Sequence, residues 1–197
     1  HDVTSALATA ADADHEVEQG ISFVGINALV MRRYMYEFGW KHVDFAPFSI
    51  NAHANAMHNP YARLHQKINT DQFERSSMVA TPINLLDASP IGDGAAAVVI
   101  VPAEKVVSVR GKPKITVAGS ASATDTIAVH SRKDPLFLSA AHESARRAYE
   151  MAGVGPDDID LFELHDAFSI MSALSLEACG FAARGQGVRL GLDNEIS

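Results

Sequence analysis

From Val24 onward the apolar positions Val24, Ala28, Met31, Met35 and Phe38 recur at three- and four-residue steps, and Gly39 follows as a stop. That spacing predicts an amphipathic helix. A second stripe, Phe45, Phe48, Ala52 and Ala56, predicts a helix over about 44–57, with Asp44 as its cap and Pro47 in its first turn. Asn59-Pro60 breaks it, and residues 59–86 read as a polar insert with a short helix around 70–77. The run 95–101 is continuously apolar behind the Gly92 and Gly94 turn, which predicts a buried strand covered on both faces. Residues 114–119 and 158–164 predict two further strands. Helices are expected at about 139–152, closed by Gly153, and at about 166–179, closed by Gly180. Residues 1–20 have weak periodicity, and the Gly-rich end from Gly185 predicts no packing element. Strands alternating with helices argue for an α/β class.

Composition narrows the function. With 197 residues, 47% hydrophobic and 20% charged, the chain can bury a real core. The longest apolar run, 95–101, is too short to cross a bilayer, so no membrane association is expected. The first residues lack a basic region followed by an apolar stretch, so no secretory signal is expected, and no initiating Met is present. A net charge of −8 argues against nucleic-acid partners, whose binding needs phosphate neutralisation. A single cysteine excludes an internal disulfide framework and a multi-cysteine zinc site, and it suits a reducing, cytoplasmic setting. His53, His58 and His65 do not fall on one helical face and Pro60 interrupts them, so no metal site is expected. No Walker loop, Gly-x-Gly-x-x-Gly or Gly-x-Ser-x-Gly elbow is present.

The stretch 160–168, reading Asp-Leu-Phe-Glu-Leu-His-Asp-Ala-Phe, carries the chemistry. It places His165 at the carboxyl end of a predicted strand and beside a predicted helix amino terminus, where developing oxyanions are most readily stabilised. Asp166 reads as the N-cap of that helix or as a support for His165, and Glu163 as a second supporting acid or a salt-bridging strand residue. Cys179 sits at the far end of its helix, where the dipole opposes a thiolate, so it is expected to be structural.

In this order, His53-Ala54-Asn55-Ala56, Asn59-Pro60-Tyr61-Ala62, Ser76 to Pro82, Asp87 to Ile100, Ala148 to Gly153, Glu163 to Phe168 and Gly180 to Gly187 resemble the sterol-carrier and archaeal-type branch of the thiolases. The resemblance covers about 21–190 and implies the layered αβαβα thiolase fold, here an incomplete middle portion. It implies that residues 1–103 close the amino-terminal half, with a covering loop at about 59–86. A linker would follow at 104–112, and 113–197 would open the carboxyl-terminal half.

The implied activity is acyl transfer between coenzyme A thioesters, by Claisen condensation or thiolysis, with an acyl-CoA substrate and no covalently bound cofactor. His165 would bind the thioester oxygen, Ser89 the pantetheine arm, and Asn59, Tyr61 and Arg63 the nucleotide end of coenzyme A. The resemblance further implies a homo-oligomer and, in the archaeal branch, a small zinc-ribbon and OB-fold partner protein. The family's nucleophilic cysteine and Gly-His-Pro histidine are absent from these 197 residues, so the chain alone is expected to be inactive. Three alternatives stand beside this reading: a thiolase-like aldolase, which carries Tyr where His165 stands; a non-catalytic acyl-CoA or lipid-binding relative; and an inactive fragment.

Overall fold

A computed structural model describes residues 3–106 and 112–196. A short helix, α1 (Val3–Ala8), and a π-turn (Ala13–Val17) lead into α2 (Phe23–Phe38). The Ser22 hydroxyl caps α2 by accepting the Gly25 amide at 3.1 Å, and Gly39 ends it at φ 78°. A 3₁₀ turn (His42–Phe45) runs straight into α3 (Ala46–Ala56), with Pro47 in its first turn. Asp44 therefore caps the 3₁₀ turn, accepting the Lys41 amide at 2.7 Å, and not α3 itself.

The insert contains α4 (Thr70–Glu74), opened by a reciprocal capping box between Asn69 and Gln72. It closes with an antiparallel pair, β1 (Met78–Ala80) and β2 (Ile83–Asn84). Then come α5 (Ser139–Ala152), α6 (Ser169–Ala178) and α7 (Gly187–Leu192). The last of these corrects the expectation for the Gly-rich end. Val188 is fully buried, and a Cβ on Gly187 would lie 2.3 Å from the Ala173 carbonyl oxygen, so glycine lets α7 lie directly on α6.

The core lies among α2, α3, α4, β2, α6 and α7. Met31, Tyr34, Phe45, Phe73, Ile83, Ile170, Leu174 and Val188 are all buried there. Seven of the ten residues of α6 are buried, which makes it the central helix. Each fully buried Leu, Ile, Phe or Met contributes about 1.5–3 kcal/mol of transfer free energy. By contrast, α5 has no buried residue.

The three predicted strands are not observed. Residues 95–101, 114–119 and 158–164 have no strand partner among the described residues, whose only sheet is β1–β2. Val98, Val99 and Ile115 are 84%, 91% and 82% exposed. An apolar run specifies a strand only where a neighbour pairs its backbone and covers its faces, and none of these segments meets one. Residues 161–165 keep the alternation of a half-covered strand, with Phe162 and Leu164 partly buried and Leu161, Glu163 and His165 exposed. The predicted linker at 104–112 falls largely on residues outside the described ones.

The isolated 197-residue chain should self-associate through these uncovered segments. Sedimentation velocity on the parent and on a Val99→Lys, Ile115→Lys double variant checks it: association should weaken in the variant. A parent that stays monomeric at micromolar concentrations would refute the expectation.

Candidate functional site

Two segments far apart in sequence meet beside α6. Ala88 and Phe168 form an isolated antiparallel bridge: the Ser89 amide donates to the Ala167 carbonyl at 3.0 Å, and the Ser169 amide donates to the Asp87 carbonyl at 3.0 Å. The side chain of Asp87 locks this junction. It is buried, and its carboxylate is met by the Asn84 amide at 2.8 Å, by His42 Nε2 at 2.6 Å and by the Ser169 hydroxyl. Asn84 is fully buried as well and donates to the Phe73 carbonyl at 2.6 Å, while the His42 ring stacks on Phe73 at 4.9 Å. Composition did not reveal this network. The Asn84-x-x-Asp87 spacing, two residues that readily accept backbone amides in turns, was the available signal.

The junction positions His165 three residues before Phe168, the N-terminal flanking residue of α6. His165 lines a cavity of about 170 Å³ walled by Phe23, Ile26 and Val30 of α2 and by Met171 and Leu174 of α6. Its ring nitrogens make no hydrogen bond to another described residue, which leaves them available to a ligand. Ser89 is exposed and close to the same segment, its hydroxyl 3.4 Å from the Ala167 carbonyl oxygen.

The other predicted site residues lie elsewhere. Asp166 does not cap α6: the helix opens at Phe168 with no side-chain cap, because its first amides are taken by Asp87 and by local turns. Asp166 and Glu163 line a second, wider cavity of about 510 Å³, with Asn51 and Asn55 of α3, so neither shares the His165 cavity. Asn59 and Tyr61 are exposed on the insert, where the Asn59 side chain accepts the Tyr61 amide at 3.0 Å. Arg63 reaches back from the insert, its Cδ 3.9 Å from the position of a Cβ on Gly92.

His53 of α3 and His65 of the insert are tied to backbone carbonyls: His53 Nδ1 to Gln66 at 2.9 Å and His65 Nε2 to Asn59 at 2.7 Å. No group of three or more His, Cys, Asp or Glu side chains among the described residues is arranged to hold a metal ion. Nor is any described helix long and apolar enough to cross a membrane. Cys179 is half-buried outside both cavities, burial pushes its thiol pKa up, and its carbonyl accepts the Tyr149 hydroxyl at 3.1 Å.

Two features escaped sequence reasoning. Glu16, buried, reaches across to the turn Val129–Ser131, accepting the Val129 amide at 2.8 Å and facing His130 Nδ1 at 3.2 Å. Arg132, just beyond that turn, lines the His165 cavity.

Residues 121–197 match a family model described as "Thiolase C-terminal domain-like". The chain is 44% identical over 188 residues to an acetyl-CoA acetyltransferase of Methanothermobacter thermautotrophicus, covering 95% of this chain and 49% of that protein. It is 31% identical over 161 residues to sterol carrier protein 2 of Rattus norvegicus, covering 79% of this chain and 29% of that protein. A solved structure titled Ltp2-ChsH2(DUF35) aldolase superposes with a TM-score of 0.81 at 24% identity, covering 98% of this chain and 50% of that one. The chain thus spans about half the length, or less, of these relatives.

Two outcomes follow from the geometry. Asp87→Ala should lower unfolding stability by about 1–3 kcal/mol for each buried donor it strands, the Asn84 amide and the Ser169 hydroxyl, and urea titration followed by circular dichroism measures it. Cys179→Ala should leave coenzyme A thioester binding unchanged in a calorimetric titration. A thiol that controlled binding or turnover would not be the structural residue seen here.

Proposed function

We propose, for a chain that belongs to the thiolase superfamily and carries a portion of its α/β fold, that the His165 cavity is the acyl-thioester face of a coenzyme A acyl-transfer site. The observation that supports this reading is the junction of 87–89 with 167–169. It holds an unpartnered imidazole at the wall of a small apolar cavity, next to the exposed hydroxyl of Ser89.

The chemistry follows from what these groups do. Attack on a thioester, or its enolisation, moves charge onto the carbonyl oxygen. A donor fixed at that oxygen is worth more once a bound acyl group has displaced water from the cavity than in bulk solvent. His165 supplies one N–H to the thioester oxygen. Ser89 would meet the amide-bearing pantetheine arm as it leaves the cavity, and Arg63, folded back toward Gly92, extends the same track to the phosphates. Asn59 and Tyr61, on the exposed insert, would close over the nucleotide end.

The nucleophile is not among the groups lining this cavity, so the chain contributes binding and oxyanion stabilisation, and the covalent step needs a thiolate brought to it. The names of the relatives support transfer of acetyl groups between coenzyme A thioesters. The αβαβα layering, a homo-oligomer, and a small zinc-ribbon and OB-fold partner belong to the same proposal, as does a division into two halves at about 104–112.

In an enzyme carrying this chain together with a nucleophile, His165→Ala should lower kcat for acetoacetyl-CoA thiolysis by about 100- to 1,000-fold, or roughly 2.7–4 kcal/mol, with little change in KM. Steady-state kinetics decides: an unchanged kcat with a raised KM would make His165 a ground-state binding residue instead.

A further inference from the structure

We propose that Arg132 selects the acyl group, so that the cavity beside His165 takes an acyl-CoA whose acyl chain ends in a carboxylate. The inference rests on the acyl-CoA reading of the same site and adds the substrate class. Arg132 is the one permanently charged side chain in the lining of that cavity; aliphatic and aromatic groups such as Phe23, Ile26, Leu138 and Met171 make up most of the rest. Its Nε is buried and has no hydrogen-bond partner, and no other side-chain nitrogen or oxygen among the described residues is in that position.

The carboxylates nearby accept their hydrogen bonds from other groups, although the Asp125 charge also acts on Arg132. The two oxygens of Asp125 are taken by the Thr126 amide and the Ser139 hydroxyl, and Glu16 is spent on the Val129 amide and His130. The same Glu16 contacts pin the Val129–Ser131 turn, whose Val129 carbonyl also accepts the Arg132 amide at 3.2 Å, so the backbone that carries Arg132 is fixed.

A buried guanidinium N–H without an acceptor is costly, and a group in that state calls for an occupant. A carboxylate is the acceptor that fits best, because it takes Nε and a terminal guanidinium nitrogen together in a planar fork. Arg132 and His165 line the same cavity, whose volume of about 170 Å³ has room for a short acyl chain. A methyl group in place of the carboxylate leaves the Nε–H without an acceptor, which is how such a site discriminates.

The test is calorimetric titration of the 197-residue chain with succinyl-CoA and with butyryl-CoA, which share the coenzyme and the acyl carbon count. Succinyl-CoA is expected to bind at least about tenfold more tightly. In R132Q the preference should vanish while butyryl-CoA affinity stays, and R132K, which keeps the charge without the fork, should retain part of it. Equal affinities in the parent, or a preference that persists in R132Q, would overturn the inference while leaving the acyl-CoA reading in place. Absence of binding by either thioester would sink that reading and this one with it. Loss of both ligands in R132Q and R132K alike would make Arg132 a structural residue and overturn the proposal.

Discussion

A carboxylate taken out of water at the meeting point of several elements has to be answered by donors, and Asp87 is answered by three, each from a different part of the chain. The Asn84 amide comes from the end of β2, the His42 ring from the turn before α3, and the Ser169 hydroxyl from the first turn of α6. Moving any one of these elements alone would strip a donor from a buried charge, so their relative positions are coupled. Buried polar networks are weak sources of net stability, and their geometric demands act mainly on which arrangement the elements adopt. Here the register being fixed is that of 87–89 against 167–169, and with it the height of His165 on the cavity wall.

The sequence made the helices legible because periodicity and stop signals coincide. The α2 stripe ends at Gly39 and the α5 stripe at Gly153, and both glycines adopt the left-handed conformation that closes a helix. The motifs around 87–100 and 163–168 were legible as marks of one family, but the pairing of 87–89 with 167–169 was not. The strands were not. Residues 95–101 and 114–119 have the composition of buried strands, yet whether such a run pairs depends on neighbours that no local pattern encodes. Asp166 failed as a cap for a related reason. Its side chain has capping chemistry, but the longer-range Asp87 contacts had already claimed the start of α6.

The same contrast runs through the whole molecule. One group of elements, centred on α6, satisfies its apolar faces within the chain; α5 and the segments around it do not. The alanines of α5 nevertheless mark a close approach: a Cβ on Gly119 would stand 2.3 Å from the Ala148 carbonyl oxygen. Gly119 therefore lies directly on α5, although residues 114–118 before it are exposed. This one close approach of helix and extended chain is the contact a layered α/β fold requires, but no strand pairing accompanies it among the described residues. Local opening should accordingly be easiest in 95–106 and 112–118, whose side chains are exposed, and hardest around α6, where burial is densest.

The His165 cavity combines two polar demands with an apolar wall, and the combination restricts what it can hold. An imidazole with both nitrogens uncommitted is satisfied by water as readily as by a substrate while the cavity is open. Arg132 differs, because its Nε is already sequestered from solvent. Filling the cavity with a wholly apolar group would exclude water from His165 and still leave that N–H unanswered. A ligand carrying one acceptor at each end of a short apolar span answers both groups and covers the wall between them. A thioester carbonyl at one end is what acyl transfer requires of any substrate. The acceptor at the other end is the part this chain adds, and it follows from where Glu16 holds the turn that carries Arg132.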